Sequence, residues 1–194
     1  MKILYIIILL KCFLFSQSVV SNRTVAAGGG GLCESPTVLE FHADVDNVFN
    51  NQTSTDTMWQ SLSNASNYTY HGDSLNIYYG SGGAAGESLL VSLFTDNSGE
   101  PGTVVAGTRR AVIFSSLPAS DLGQFYFPLD VADVELSGST TYWVGVYGNA
   151  DFNWSVGRDS DGGYANGNVM YVNAGGSRTS LATMDLPFYL MGCE

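Results

Sequence analysis

The chain has 194 residues, with 18 acidic and 7 basic side chains and a formal net charge of −11. That length predicts one domain, with room for a small appendage. Both lysines, Lys2 and Lys11, lie near the N-terminus, so the rest of the chain is more acidic still. A surface this negative repels nucleic acid and anionic lipid, and neither is expected as a partner.

Residues 1–21 are predicted to be a secretory signal peptide. Lys2 gives a positive start, and an apolar run follows over residues 3–15, broken by Lys11. Ser21 offers a small residue for cleavage before position 22. A retained anchor is the alternative, but the apolar run is shorter than the ~20 residues of a comfortable membrane span. The mature protein is therefore expected to be secreted or at a cell surface, with no transmembrane segment.

Residues 22–32 contain a run of glycines and are predicted to be a flexible linker, followed by one domain over residues 33–194. Cys33 and Cys193 lie near opposite ends of that domain. In an exported protein such a pair predicts a disulfide, worth up to ~4–5 kcal/mol on the chain-entropy model. Two unpaired buried thiols are the alternative. Neither His42 nor His71 has a ligand-like spacing to a cysteine, so no cysteine metal site is expected.

The segments of the domain point to β-structure. Short runs rich in Tyr, Val, Ile and Phe alternate with clusters of Gly, Asn, Asp and Ser, which predicts an all-β sandwich or barrel. A first strand is predicted within residues 33–43, and a polar loop over Asp44–Thr57. One short helical turn is predicted at Leu117–Leu122. Further strands are predicted at Met58–Leu62, Tyr68–His71, Ser74–Tyr79, Leu89–Thr95, Val104–Val105, Arg109–Ser115, Gln124–Pro128, Asp133–Leu136, Thr141–Tyr147, Phe152–Gly157, Val169–Val172 and Leu186–Met191.

Two strands have the clearest patterns. Leu89–Thr95 carries apolar side chains on both faces, which predicts a strand covered on both sides. A turn over Asp96–Gly102 should follow, with Pro101 and Gly102 at the central positions of a type II turn. Thr141–Tyr147 is the second strong strand. Gly145 inside it predicts a bulge or a close approach by another backbone.

Several short segments follow one another in a characteristic order: Gln60–Leu62, Leu75–Tyr79, Leu90–Asp96, Gly99–Gly102, Val134–Trp143 and Asp185–Leu190. That order resembles the bacterial choice-of-anchor R domain, a module of exported surface proteins. The resemblance covers roughly residues 57–192 and implies a jelly-roll-like antiparallel β-sandwich with no known reaction. The chain ends at Glu194 without a sorting tail, which favours a released or non-covalently held protein.

One strand and the loop after it are the predicted ligand-binding site. Trp154 and Arg158 have the same parity along a strand, and Asp161 and Tyr164 lie in the loop that follows. An exposed aromatic ring with polar neighbours is suited to stacking on a sugar. The alternative is that Trp154 belongs to the core, because large aromatic side chains dominate sandwich cores.

Two acidic segments are weak candidates for calcium. Asp159 and Asp161 precede two glycines and could supply two oxygen ligands. Asp44 and Asp46, with Asn47, form the second candidate. A full calcium loop is absent at both places, and an acidic surface turn is the favoured interpretation. No metal and no cofactor are therefore predicted.

No catalytic residues are predicted. The many carboxylates contain no marked pair of the kind a glycosidase needs, and His42 and His71 have no accompanying Gly-x-Ser-x-Gly motif. The expected function is a secreted, non-catalytic binding module with a glycan or cell-surface partner, most simply a carbohydrate. The first alternative is a structural or adhesive protein that binds other chains through an exposed strand edge. The second is a glycan-active hydrolase.

Overall fold

The structure, a computed structural model, describes residues 33, 36–52, 56–64, 70–82, 86–114, 123–128, 134–149, 154–165, 167–173 and 176–193. The predicted signal peptide, the linker and the helical turn at Leu117–Leu122 lie outside the described residues. The described part includes no helix with the length and apolar composition that a membrane crossing requires.

The described residues form strands in fourteen segments. They are β1 (Thr37–His42), β2 (Asn47–Gln52), β3 (Thr57–Asn64), β4 (Tyr70–Gly82), β5 (Ser88–Asp96), β6 (Pro101–Val104), β7 (Arg110–Ile113), β8 (Gly123–Pro128), β9 (Val134–Leu136), β10 (Thr140–Gly148), β11 (Trp154–Arg158), β12 (Val169–Val172), β13 (Thr179–Leu181) and β14 (Phe188–Cys193).

The strands form two seven-stranded sheets whose strand pairs are antiparallel. The first sheet contains β1, β2, β4, β8, β9, β11 and β14. The second contains β3, β5, β6, β7, β10, β12 and β13. The fold is thus the predicted all-β, jelly-roll-like antiparallel sandwich.

Alternation along the strands places the core between the sheets. In β10, Tyr142, Val144 and Val146 point inward, and all three are buried. In β5, the prediction of cover on both sides is confirmed, since Leu90 and Ser92 are buried as well as the inward Leu93. Other large core side chains, from both sheets, include Met58, Leu62, Leu75, Ile77, Phe127, Trp154, Val156, Phe188 and Leu190.

The predictions for one loop, Asp44–Thr57, and for the turn after β5 need correction. The segment predicted as a loop over Asp44–Thr57 contains strand β2, which pairs with β11 through its backbone although its side chains are mostly polar. The turn after β5 also lies earlier than predicted. Ser98 (φ 59°) and Gly99 (φ 85°) are its central residues, as in a type I′ hairpin, and Pro101 already belongs to β6.

Gly145 is required by side-chain packing, and no bulge or close backbone approach explains it. Strand β10 keeps a regular register with both neighbours across this residue. A Cβ at position 145 would clash with the ring of Phe94 and lie 2.9 Å from Cδ1 of Trp59. These two rings meet edge to face, with centroids 6.2 Å apart.

Replacing Gly145 by alanine should therefore destabilise the fold by about 1–3 kcal/mol, because the added methyl overpacks this ring pair. Urea unfolding followed by tryptophan fluorescence would measure the change. Thr141→Ala, on the same face of the same strand, is the matched control and should change stability by about 0.5 kcal/mol or less. Equal stability of Gly145→Ala and the wild type would contradict the packing role.

Candidate functional site

Trp154 is a core residue, and the prediction that it forms an exposed sugar platform is wrong. Its side chain is 1% exposed and belongs to the hydrophobic cluster between the sheets. Strand β11 turns Trp154 and Val156 to the inner face of the first sheet. Gly148 lies against the indole, since a Cβ at that position would be 2.7 Å from Nε1.

The other three predicted ligand residues do not form an open site around Trp154. The Arg158 guanidinium lies over the Phe49 ring, 5.1 Å from its centroid, and donates a hydrogen bond to Sδ of Met184. Asp161 is exposed. Tyr164 is half-buried and packs edge-on against Phe188. Asp161 and Tyr164 instead belong to the surroundings of His42, described below.

A partly exposed group of aromatic side chains occurs elsewhere, on the outer face of the first sheet. Phe41 in β1 is 54% exposed and lies directly opposite Tyr189 in β14. Their rings are nearly parallel, at 13°, with centroids 5.5 Å apart. Tyr78 of β4 contacts Tyr189 through a side-chain hydrogen bond. We call Phe41, Tyr189 and Tyr78 the aromatic platform.

Polar groups adjoin the aromatic platform. Asn76 lies directly opposite Tyr189, and its Oδ1 is buried without a hydrogen-bond partner. Partial burial and the proximity of Tyr189 raise the pKa of Tyr78 above its usual value, so the Tyr78 hydroxyl stays protonated near neutral pH. The platform therefore combines ring faces with neutral hydrogen-bonding groups.

A second feature lies at the place where β11 ends and β14 begins along the same side of β4, which we call the fork of the first sheet. Ile77 of β4 pairs with Phe188 of β14 on one side and with β8 on the other. Tyr79 pairs with Val156 of β11 and also with β8. Strands β14 and β11 therefore follow one another along the same side of β4, each with its own partner strand, β1 or β2.

The fork is closed by Asp159 and Asp185. Their backbones are joined by two hydrogen bonds, in which each N–H donates to the other carbonyl at 2.9 and 3.0 Å. His42 ends β1 opposite Phe188, and its Nε2 lies 3.0 Å from Oδ2 of Asp159. The three side chains are 8%, 0% and 3% exposed for His42, Asp159 and Asp185. We call these three residues the fork cluster.

Backbone N–H groups stabilise both carboxylates of the fork cluster. The N–H groups of Asp161 and Gly163 donate to Asp159, and that of Tyr164 donates to Asp185. Burial by itself would raise the pKa of Asp159. The hydrogen bonds from the Asp161 side chain and these N–H groups, together with His42, outweigh burial and lower the pKa to about 2.

The two acidic segments that were weak calcium candidates meet beside the fork cluster. Asp46 Oδ1 accepts hydrogen bonds from the N–H and the hydroxyl of Ser160, both at 2.8 Å. The pKa of Asp161 is raised by its hydrogen bond to Asp159 and the repulsion of that carboxylate, with smaller effects of burial, Asp46 and Asp44. Exposed negative charge is therefore concentrated around the buried cluster.

Sequence reasoning missed both features for identifiable reasons. The alternation of Phe41 outward and His42 inward was available from the predicted first strand, but nothing local marked Tyr189 as the neighbour of Phe41. His42 and Asp159 are 117 positions apart, so no spacing could reveal their contact.

No protein-family model matches the chain, and no curated protein is significantly similar to it.

Proposed function

We propose that this protein is a non-enzymatic extracellular binding module that holds a carbohydrate on the aromatic platform. The observation that carries the proposal is the exposure of Phe41, stacked in parallel on Tyr189 at the edge strand of the first sheet. The stack occupies one face of the Phe41 ring, and more than half of the side chain remains open to solvent.

The surroundings of the platform favour a neutral polar ligand. Sugar rings combine apolar C–H faces with hydroxyl groups, so aromatic faces with a few placed polar groups suit them. The Tyr78 and Tyr189 hydroxyls could bind sugar hydroxyls. The acidic surface opposes anionic ligands such as nucleic acid. Trp154 has no part in this site.

Phe41→Ala should weaken glycan binding about tenfold or more, because truncating an aromatic anchor costs roughly 1–2 kcal/mol or more. The wild type would first be tested on a glycan array, and the best ligand would then be titrated by calorimetry against both proteins. Ile113→Ala is the matched control, since Ile113 is 49% exposed but lies in β7 of the second sheet. No glycan binding by the wild type, or equal loss in both variants, would refute the proposal.

The second candidate function is recognition of another protein chain at the β1 edge. Strand β1 is terminal in the first sheet, and within the described part of the chain its pairing strand is β14 alone. Val38 and Phe41 are both exposed on it, and an unpaired apolar edge can be extended by an added strand. Concentration-dependent assembly that Thr37→Pro abolishes and that sugar does not affect would favour this function over carbohydrate binding.

We also propose that the chain belongs to the choice-of-anchor R family and is located at a cell surface. The disulfide between Cys33 and Cys193 supports the extracellular location, because disulfides form in oxidising compartments. Mass spectrometry of the mature protein from culture medium would test secretion and the expected N-terminus at residue 22.

A further inference from the structure

We propose that the fork cluster binds one divalent metal ion of the Zn²⁺ type. The potential ligand atoms of His42, Asp159 and Asp185 all lie within 4.8 Å of one another. Three separate chain segments supply them: the end of β1, the end of β11 and the segment before β14. This inference is independent of the carbohydrate proposal, since it concerns inward-facing side chains.

The set of donors suits a borderline metal. One imidazole nitrogen and two carboxylate oxygens are ligands that zinc accepts, at about 2.0–2.2 Å. His42 Nε2 and Asp159 Oδ2 are already 3.0 Å apart, close to the separation of two ligands on one ion. Calcium prefers six to eight oxygens, and the imidazole does not suit it.

The charge balance of the cluster also favours a cation. The carboxylates of Asp159 and Asp185 are almost completely buried. Within the described ranges, Asp159 forms an ion pair with His42, and no ion pair is found for Asp185. Buried charges are normally paired or bound to a metal. A divalent ion would neutralise the charge of both carboxylates.

The backbone of Gly163 lies close to two of the proposed ligands. A Cβ at this position would lie 3.2 Å from Asp159 Oδ2 and 3.5 Å from His42 Cε1. A side chain at position 163 would therefore crowd Asp159 and His42, and glycine avoids this crowding. The N–H groups that hold Asp159 and Asp185 resemble the outer-shell hydrogen bonds that orient metal ligands.

The experiment uses the mature chain, treated with chelator and then titrated with zinc, calcium or magnesium chloride alone. We expect calorimetry to show one zinc ion per chain, and the thermal midpoint to rise with zinc concentration. His42→Gln and Asp185→Asn should each weaken zinc binding tenfold or more. Glu135→Gln, which changes an exposed carboxylate in β9, is the control and should bind like the wild type.

A wild type that binds no zinc would overturn the proposal, whatever the variants do. Binding that survives in His42→Gln but is lost in Asp46→Asn would overturn it too, because the ion would then lie on the exposed acidic segments. If a variant fails to fold, the visible spectrum of the wild type loaded with Co²⁺ tests the site instead. Its visible spectrum should show nitrogen ligation in a four- or five-coordinate site, and an all-oxygen octahedral spectrum would refute the assignment.

Discussion

Replacing Cys33 and Cys193 together by serine should lower the free energy of unfolding by about 2–5 kcal/mol. The disulfide joins residues 160 positions apart, and their Cα atoms are 5.5 Å from each other. On the chain-entropy model a loop of this length restricts the unfolded chain by about 5 kcal/mol, which is the upper end of the expected loss. The bond also holds the end of β14 to the segment that precedes the edge strand β1.

Urea unfolding of the Cys33→Ser/Cys193→Ser variant against the oxidised wild type would measure this loss. Reductant supplies the control: it should lower the wild-type midpoint toward that of the variant and leave the variant unchanged. Equal midpoints for the oxidised wild type and the variant would show that the disulfide contributes no stability.

Trp154→Ala should destabilise the domain by about 3–5 kcal/mol, because it removes one of the largest fully buried side chains and leaves a cavity. Trp154→Phe should cost less, since its ring would fill part of the same space. Denaturant unfolding of both variants would test this order. Under the carbohydrate proposal, Trp154→Phe should keep its glycan affinity where it remains folded.

Phe41→Ala provides the contrast with the core variant. Phe41 is 54% exposed, so its truncation should cost about 1 kcal/mol or less, mainly through loss of the stack on Tyr189. Trp154→Ala should thus lower mainly the stability of the fold, and Phe41→Ala should lower mainly the affinity for the glycan. A Trp154→Ala protein as stable as the wild type would contradict the core position of the indole.

Local patterns explain how much of the fold was predictable. The short apolar runs Leu89–Thr95 and Thr141–Tyr147 correctly predicted β5 and β10, because such runs bounded by turn residues fit strands that are covered on both faces. Strand β2 was missed because Asn47–Gln52 is mostly polar, and an edge strand needs only backbone pairing with β11. The hairpin turn was misplaced because Pro101 was taken as a turn residue, whereas Ser98 and Gly99 adopt the positive φ values.

The predicted site shows the limit of the same reasoning. The parity of Trp154 and Arg158 was correct as a strand pattern, but parity does not say which face of the sheet is inside. That choice depends on the opposite sheet, which covers Trp154 and leaves Phe41 exposed. The loop residues Asp161 and Tyr164 lie instead beside the fork cluster: Asp161 contacts Asp159, and Tyr164 lies against His42, which a separate strand supplies.

The sequence by itself determined the all-β class, the strong central strands and the pairing of Cys33 with Cys193, because these follow from local alternation, turn composition and the count of cysteines. Only the tertiary structure decided the candidate sites. The aromatic platform joins Phe41 to Tyr189, and the fork cluster joins His42 to Asp159 and Asp185. Such contacts depend on which strands become neighbours, and that order is set by burial over the whole sandwich.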